Sequence, residues 1–409
     1  MNKLIITRWN ERILTALFSE KEALELGLEE NASILGNIYI GKINRIIKNL
    51  NAAFVDFGDG QTGYYSLEDN PISLPTDSSK TAISSKLLKG NDEIIVQVAK
   101  DAIKTKDPVL TANLNFPGKY VVLTIGRKSI NFSAKIHDKA WKEQLRPKLE
   151  TLLQGTCGII VRTNGYQLDE KILFETQNLL QICNRVLRSA CFRSGGSLLY
   201  QAEPEYLKSL KNSHIGTLEE IITDQSDIYQ TIEAYFKSAP SEEKENLRFY
   251  QDPLLSLTSL YSLQSVMSQA CQKRVWLKSG GYLIIEPTEA MVVIDVNTGK
   301  YSGKKEQSDT IRLINLEAAQ EICRQIRLRN LSGIIMIDFI DMKEDSDKTL
   351  LLEQLRRYAA QDPVKTTVVD ITELNLVEMT RKKGKKPLWE QLIAVSGEKS
   401  TAFAHRGKS

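Results

Sequence analysis

The chain has 409 residues, and its 54 basic residues nearly cancel 51 acidic ones to leave a net charge of +3 that identifies no partner by itself. The length predicts about two to four domains, and the fractions of 42% apolar and 26% charged residues exclude wholesale disorder. No apolar stretch reaches about 18 residues, and Lys3, Arg8 and Arg12 interrupt the N-terminal one, so we expect no membrane span, no signal peptide and a cytoplasmic location.

The first predicted element is a strand hairpin over residues 3–16, which turns at "RWNER". From residue 36 to about 116 the pattern changes to short alternating strands, including "IYIGKINRII", "AAFVDF" and "EIIVQVAK", with turns rich in glycine and asparagine between them. Closely spaced short strands of this kind predict a small barrel of the OB kind.

One strand of this barrel carries an aromatic residue on its polar face. In "AAFVDFG" the alternation places Phe54 and Asp56 opposite the apolar face. The aromatic and basic residues nearest to Phe54 in sequence or in the barrel are Tyr64, Lys42, Arg45 and Lys106. Stacking rings beside cations are typical of surfaces that bind single-stranded nucleic acid. Packing of Phe54 against a neighbouring domain would produce the same pattern, and the pattern favours neither interpretation.

The next region, 118–208, holds the strands "YVVLTI" and "GIIVRT" and a helix around 168–190, and residues 215–272 are predicted to be mostly helical. The segment "GIIVRTNG" delivers Arg162 and Thr163 to an Asn-Gly turn. A guanidinium beside a hydroxyl and turn amides can hold a terminal phosphate. A plain hairpin with a solvated arginine has the same sequence pattern, and from the residues alone it is the better prediction.

The last region, 275–380, alternates strand and helix and places an aspartate after each of two aliphatic runs, Asp295 in "MVVIDVNTG" and Asp338 in "GIIMIDFIDM". Between them, apolar residues at spacings of three or four predict one helix, which Asp309 can cap and Gly333 can end. That unit is a crossover between neighbouring strands of one sheet. The two aspartates should therefore lie side by side at equivalent strand ends.

Such a carboxylate pair can hold one divalent cation, and magnesium often takes only one or two protein carboxylates. A magnesium ion can polarise a phosphoryl oxygen and lower the pKa of bound water. Asn297 points to the same side as Asp295 and can hydrogen-bond a phosphate. The alternative is that Asp295 and Asn297 shape a turn, while Asp338 and Asp341 cap the next element. The pairing across one crossover favours the metal.

The cysteines and histidines predict no other metal site. The chain has three histidines and five cysteines, and no two cysteines stand at C-x-x-C spacing. This pattern argues against a disulfide framework and against a structural zinc site. Any metal should be a hard cation bound by oxygen. The five thiols are Cys157, Cys183, Cys191, Cys271 and Cys323.

Taken together, several stretches resemble the ribonuclease E/G family in order along the chain. They are "GNIYIGKI", "NAAFVDFG", "VRTNG", "SGGYLIIEPTEAMVVIDVNTG", "NLEAAQEICRQIRLRNLSGIIMIDFIDM" and "LVEMTRKK". They span roughly residues 1–390, and the paired segment at 279–342 is highly specific.

The resemblance implies an α/β multidomain fold in which an RNase H-like region is interrupted by an OB-fold barrel and a sensor region and is followed by a DNase I-like α/β catalytic domain. The corresponding ranges are 1–35 and 209–272 for the RNase H-like region, 36–117 for the OB-fold RNA-binding barrel, 118–208 for the 5′-phosphate sensor region, 273–390 for the DNase I-like domain and 391–409 for a disordered tail.

The resemblance also implies a magnesium-dependent endoribonuclease, stimulated by a 5′-monophosphate, that cleaves single-stranded AU-rich RNA in processing and decay, including messenger RNA and ribosomal RNA precursors. The matching positions are Asp295 and Asp338 for magnesium, Asn297 for orienting the phosphate, Arg162 and Thr163 for the 5′-phosphate, and Phe54, Tyr64 and Lys106 for RNA binding in the barrel.

Two departures from the family pattern change what we expect. An arginine pair that the family often carries appears here as Ala134 and Lys135, which puts RNA anchoring and 5′-end dependence there in doubt. Many members follow "MTRKK" with C-P-x-C-x-G, whose cysteines share a zinc across a dimer, whereas this chain has "GKKPLWEQLI". We therefore expect no zinc and either a monomer or a zinc-independent dimer.

Two other functions compete with the nuclease. A non-catalytic RNA-binding or ribosome-associated protein could keep the fold, and contacts with ribosomes or degradation complexes are compatible with either function. Such a binder would not need Asp295, Asn297 and Asp338 together. A phosphohydrolase acting on small nucleotides would leave the barrel unexplained.

Overall fold

The computed structural model describes residues 2–29, 33–76, 82–102, 106–126, 128–154, 157–212, 218–238, 246–299 and 307–396. The strands are β1 (Asn2–Trp9), β2 (Arg12–Ser19), β3 (Glu22–Glu29), β4 (Ile38–Ile47), β5 (Ala52–Phe57), β6 (Gln61–Ser66), β7 (Ile72–Pro75), β8 (Ile83–Ser84), β9 (Glu93–Lys100), β10 (Val109–Thr111), β11 (Asn115–Pro117), β12 (Val121–Thr124), β13 (Ile130–Phe132), β14 (Gly158–Val161), β15 (Leu198–Tyr200), β16 (Leu218–Thr223), β17 (Leu247–Phe249), β18 (Arg274–Trp276), β19 (Tyr282–Pro287), β20 (Met291–Asn297), β21 (Gly333–Asp338), β22 (Thr366–Ile371) and β23 (Leu376–Arg381). The helices are α1 (Lys139–Leu153), α2 (Asp169–Ala190), α3 (Glu205–Asn212), α4 (Ser226–Ser238), α5 (Leu257–Leu260), α6 (Leu263–Ala270), α7 (Gln307–Leu328), α8 (Asp345–Ala359) and α9 (Leu388–Ser396).

The mixed α/β chain forms two compact units. The inserted unit is residues 32–214, and the flanking unit combines residues 1–31 with residues 215–409. The finer division into RNase H-like, sensor and DNase I-like regions stays a prediction. Helix α9 extends into the segment 391–409 that we expected to be a tail, and residues 397–409 lie outside the described residues. None of the described helices combines the length and apolar composition needed to cross a bilayer.

The inserted unit contains the predicted barrel. Its strands run in the order β4-β5-β6-β10-β9, and pairing of β9 with β4 closes the ring. Strands β6 and β10 pair in parallel, while the other neighbours are antiparallel. Ala53, Val55 and Phe57 are buried inside, and Phe54 and Asp56 lie on the outer face, as the alternation predicts. The closed barrel of five strands therefore confirms the OB-like prediction.

A second core of the inserted unit packs α1 and α2 against the four-stranded sheet β11-β12-β14-β13. Helix α1 begins after Asp138, whose carboxylate accepts a hydrogen bond from the backbone N–H of Trp141 at 3.0 Å. Its buried residues recur every four positions, so one face meets the sheet. Helix α2 matches the helix predicted around 168–190.

In the flanking unit, the first sheet has the order β17-β16-β1-β2-β3. The predicted hairpin is present as β1 and β2, and its turn residues Asn10 and Glu11 have φ of 45° and 65°. The region 215–272, predicted to be mostly helical, also contributes the strands β16 and β17, so that prediction was wrong in part. Buried Ile221, Ile222 and Thr223 form a short continuous run, whose periodicity does not separate strand from helix.

The second sheet of the flanking unit has the order β18-β19-β20-β21-β23-β22, and residues of α7 and α8 belong to the same hydrophobic core as its buried face. Strands β20 and β21 pair in parallel around α7, which confirms the predicted crossover. Asp309 lies in the first turn of α7 and contacts Arg312, and Asn330 with φ of 51° follows the helix end. Gly333 begins β21 instead of ending the helix, because the left-handed turn comes three residues earlier.

One buried ion pair supports this second sheet. Asp362 and Arg381 have side-chain exposures of 3% and 5% and approach within 2.7 Å. Arg381 also donates to the side-chain oxygen of Asn330 at 2.8 Å and to the carbonyl of Leu331 at 3.0 Å. The guanidinium therefore connects β23 to the turn that leads from α7 into β21.

We predict that Asp362→Ala lowers the free energy of unfolding by about 3 to 5 kcal/mol, because it leaves a buried guanidinium without its charge partner. Glu353→Ala, which removes an exposed carboxylate from α8, should change it by less than about 0.5 kcal/mol. Urea unfolding of both variants measures the difference. Equal midpoints for the two variants would contradict the prediction.

Candidate functional site

The two predicted aspartates lie opposite each other on neighbouring strands. In the parallel pairing of β20 and β21, Asp295 is in register with Asp338, so their backbones are about 4.8 Å apart. Along β20, Val292, Ile294 and Val296 point into the core, which places Asp295 and Asn297 on the other face. The structure thus brings all three predicted residues to one face of the sheet.

The charge of this pair is only partly desolvated. Asp338 is exposed, and Asp295 and Asn297 are half-buried, so burial alone does not require a compensating cation. The side-chain amide of Asn297 donates to Asp295 Oδ2 at 2.7 Å. Partial burial, followed by the negative charges of Asp295 and Asp341, raises the pKa of Asp338 above its ordinary value. A cation bound between Asp295 and Asp338 would relieve the repulsion between their carboxylates.

The alternative structural roles do not fit this geometry. Helix α8 begins at Asp345 after Glu344, so neither Asp338 nor Asp341 caps it. Asp295 and Asn297 belong to β20 and not to the turn that follows. Within the described ranges, no group of three or more His, Cys, Asp or Glu side chains is arranged to hold a metal. A pair of carboxylates suits magnesium, which keeps most of its waters, better than zinc.

A residue that the sequence analysis did not select holds the segment after Asp338. Asn315 lies fully buried on α7, donates through Nδ2 to the carbonyl of Ile340 at 2.7 Å and accepts from the Ile340 N–H at 3.2 Å. This pair of bonds ties α7 to the chain just beyond the end of β21. The signal available in the sequence was an amide beside the apolar stripe of the predicted helix, in "RLINLEAA".

The end of β20 is tightly packed against the turn before β19. A Cβ on Gly281 would lie 2.9 Å from the carbonyl oxygen of Asn297, and Gly299 has φ of 62°. A Cβ on Gly299 would collide with the carbonyl of Gly280. Glycine is therefore required here for close approach and for the left-handed conformation.

The predicted RNA residues of the barrel form a partly exposed cluster. Phe54 and Tyr64 are opposite each other on β5 and β6, with ring centroids 6.2 Å apart. The Arg45 guanidinium lies 4.7 Å from the centroid of the Phe54 ring. Lys106 is exposed two residues before Pro108, whose carbonyl accepts from the Tyr64 N–H at 2.8 Å, and Lys42 is exposed opposite Asp56. The barrel surface thus carries two neighbouring rings with a cation over one of them, and RNA binding there stays a prediction.

Arg162 and Thr163 stand at the end of β14, and the segment is not the plain hairpin that the sequence pattern allowed. Strand β14 lies between β12 and β13, and a 3₁₀ turn follows at Thr163–Gly165. Arg162 is half-buried and donates through Nη1 to the carbonyl of Gly118 at 2.6 Å. The Thr163 and Ser133 hydroxyls are 2.8 Å apart. The guanidinium of Arg162 and the hydroxyl of Thr163, two groups that can bind a phosphate, are therefore each held by a hydrogen bond within the unit.

The loop that holds Arg162 depends on Glu175, which the sequence analysis also missed. Its carboxylate accepts from the backbone N–H groups of Lys119, Tyr120 and Val121 at 2.7 to 2.9 Å. Burial raises the pKa of Glu175 although these three bonds oppose the shift. A Cβ on Gly118 would fall on this carboxylate. No local pattern identified Glu175, because its partners lie more than 50 residues earlier.

Ala134 and Lys135, which replace the family's arginine pair, are exposed just after Ser133. The cysteines show no arrangement of zinc ligands within the described residues. Cys157, Cys183 and Cys323 are buried. A hydrogen bond with Cys157 and burial raise the pKa of the Cys183 thiol above its ordinary value.

Comparisons with known proteins agree with the sequence motifs. The model of the ribonuclease E/G family matches residues 115–384. Ribonuclease E of Nostoc sp. is 30% identical over 395 residues, which cover 95% of this chain and 57% of that protein. Ribonuclease E of Synechocystis sp. is 32% identical over 384 residues, covering 92% and 56%. Ribonuclease G of Escherichia coli is 30% identical over 376 residues, covering 90% and 76%.

The chain thus spans less than two thirds of the length of the two cyanobacterial relatives but three quarters of the length of the Escherichia coli one. The match to the family model covers strands β11 to β14, both aspartate-bearing strands and the helix between them. The chain belongs to the ribonuclease E/G family.

Proposed function

We propose that this chain is a magnesium-dependent endoribonuclease that hydrolyses phosphodiester bonds in single-stranded RNA. The observation that carries the proposal is the registered pair Asp295 and Asp338, with Asn297 on the same face of the sheet. Relatives that are 30% identical to this chain are named ribonucleases. The cytoplasmic location, ribosome or degradation-complex contacts, and a monomer or zinc-independent dimer stay predictions.

Asp295 and Asp338 would hold the magnesium ion, and the like-charge repulsion between them fits that role. When bound, magnesium supplies charge stabilisation at a phosphoryl oxygen and a lowered pKa for an attacking water. Asn297 fixes one oxygen of Asp295 through Nδ2, which keeps that carboxylate oriented along the sheet face. The same amide would donate a hydrogen bond to a phosphate oxygen of RNA.

The inserted unit would bind the substrate at two places. Phe54, Tyr64 and Lys106 present rings and a cation that suit unpaired bases and phosphates, consistent with AU-rich single strands. Arg162 and Thr163 would bind a 5′-monophosphate, because a guanidinium carries several N–H donors in a fixed fork and the hydroxyl lies one residue away. The bond from Arg162 to Gly118 keeps that fork in place.

We predict that Asp295→Asn and Asp338→Asn each reduce cleavage by about 1,000-fold, equivalent to about 4 kcal/mol of transition-state stabilisation. A 5′-labelled AU-rich oligonucleotide is incubated with protein, with and without magnesium, and the product ends are mapped on a gel. Asp370→Asn, an exposed carboxylate on β22, serves as the matched control. Cleavage near the parental rate in either variant at saturating magnesium would contradict the assignment of these aspartates to the metal. Binding without cleavage by the parent would indicate a binding protein.

A second prediction uses stability instead of activity. The folded-state pKa of Asp338 is raised, so its ionisation destabilises the folded protein fully above that pKa. The penalty decreases as the pH falls toward the ordinary aspartate pKa and is absent below it. Asp338→Asn should therefore stabilise the metal-free protein at neutral pH but not in acid. Magnesium should raise the melting temperature of the parent alone. Equal magnesium responses of parent and variant would contradict metal binding at Asp338.

The third prediction concerns the 5′ end. Arg162→Gln should slow cleavage of 5′-monophosphorylated RNA by at least about tenfold more than cleavage of 5′-hydroxyl RNA, because only the first substrate loses a charge-assisted contact. Arg185→Gln, an exposed arginine on α2 of the same unit, should affect neither substrate. Single-turnover rates on both RNAs provide the comparison. If Arg162→Gln slows both RNAs by the same factor, Arg162 is structural or a general RNA contact.

A further inference from the structure

The face of the sheet that carries the aspartate pair continues into an aromatic cluster at its edge. Along β18 and β19, Val275, Leu283 and Ile285 belong to the core. The alternation therefore places Arg274, Trp276 and Tyr282 on the opposite face, the one that carries Asp295 and Asn297. We call Arg274, Trp276 and Tyr282 the edge cluster.

The three side chains of the edge cluster contact one another. The rings of Trp276 and Tyr282 have centroids 5.3 Å apart at an interplanar angle of 61°. The Arg274 guanidinium lies 4.6 Å from the centroid of Tyr282 and 5.7 Å from that of Trp276. These contacts restrict the three side chains before any ligand arrives, which lowers the entropy that binding must remove.

The strand register aligns the edge cluster with the aspartate pair. Trp276 pairs with Tyr282 and Tyr282 pairs with Asn297, so these three residues form one row across β18, β19 and β20. Two strand spacings separate the backbones of Trp276 and Asn297, a distance of about 10 Å. That distance places the indole one or two nucleotides from a phosphate bound at Asn297.

Trp276 keeps 63% of its surface exposed. Tryptophan is highly buried on average in folded proteins, so a large exposed indole beside a charged group indicates a binding surface. The indole is unlike the other exposed apolar residues of this face, such as Ile334 at 48% exposure, because a ring can stack on a base and a guanidinium beside it can attract a phosphate.

We propose that the edge cluster binds the RNA strand beside the scissile phosphate, with the indole of Trp276 stacked on one base and Arg274 near the adjoining phosphate. This inference rests on the proposed nuclease function, because the scissile phosphate is placed at Asp295, Asn297 and Asp338. Stacking accepts any base, so the edge cluster contributes substrate affinity and position and not sequence readout. Trp276 is a substrate-binding residue outside the metal pair.

The first test measures cleavage. Trp276→Ala should raise KM about tenfold with a smaller change in kcat, and Trp276→Phe should recover most of the loss, because base–aromatic stacking supplies binding that a smaller ring retains. Ile334→Ala is the matched control, since it truncates an exposed apolar residue on the same face at the far end of β21 from Asp338. A KM for Trp276→Ala equal to that of Ile334→Ala overturns the proposal.

The second test locates the base. Single-stranded oligonucleotides with one cleavage site carry an abasic nucleotide at each position in turn. The parent should lose affinity at one position within two nucleotides of the cleaved bond, and Trp276→Ala should be insensitive there, because the two changes remove the same contact. Additive losses at every position would overturn the stacking assignment.

A third measurement separates this proposal from the nuclease assignment. In excess chelator, binding of the uncut AU-rich oligonucleotide should quench tryptophan fluorescence in the parent, and most of the quench should vanish in Trp276→Phe while binding remains. A parent that binds with this quench but never cleaves RNA disproves the nuclease function and leaves the stacking contact intact. A quench that persists in Trp276→Phe disproves the stacking contact whether or not cleavage occurs.

Discussion

The parallel register of β20 and β21 is the constraint on which the candidate site depends. It sets Asp295 against Asp338 and carries Asn297 to the same face of the sheet. A shift of one residue in either strand would turn one aspartate into the core, where an unpaired carboxylate is costly. Helix α7 supports this register, since its buried residues belong to the same hydrophobic core as those of both strands and Asn315 holds the chain just beyond Asp338.

The proposed function requires two carboxylates close together, and their repulsion lowers the stability of the fold, which the rest of the unit offsets. Two carboxylates in register repel each other, and partial burial followed by that repulsion raises the pKa of Asp338 above its ordinary value. The buried pair of Asp362 and Arg381 connects β23 to the turn before β21. At the other end of β21, the two hydrogen bonds between Asn315 and Ile340 hold the chain just beyond Asp338. Strained or repelling groups at sites of this kind persist because the surrounding structure fixes them.

In the inserted unit, a carboxylate stabilises the fold, because it accepts hydrogen bonds from the backbone of a loop. Glu175 gathers three successive N–H groups, and the loop so formed offers the Gly118 carbonyl to Arg162. The guanidinium that we propose for 5′-phosphate binding therefore donates a hydrogen bond to main chain that Glu175 itself positions. Thr163, bonded to Ser133, completes a pair of donors on one short turn.

The sequence by itself determined the barrel, the crossover and the face of each strand, because hydrophobic alternation and helical period are local properties. Phe54 on the outer face and Asp295 beside Asp338 follow from that reasoning. Only the tertiary structure decided which distant segments meet: Glu175 with the loop at 119–121, Asn315 with Ile340, and Trp276 with Tyr282 and Asn297 across three strands. The hydrophobic period of the sequence assigns a residue to one face of its own strand. Its neighbours on other strands depend on strand order and register, which result from packing of the whole sheet.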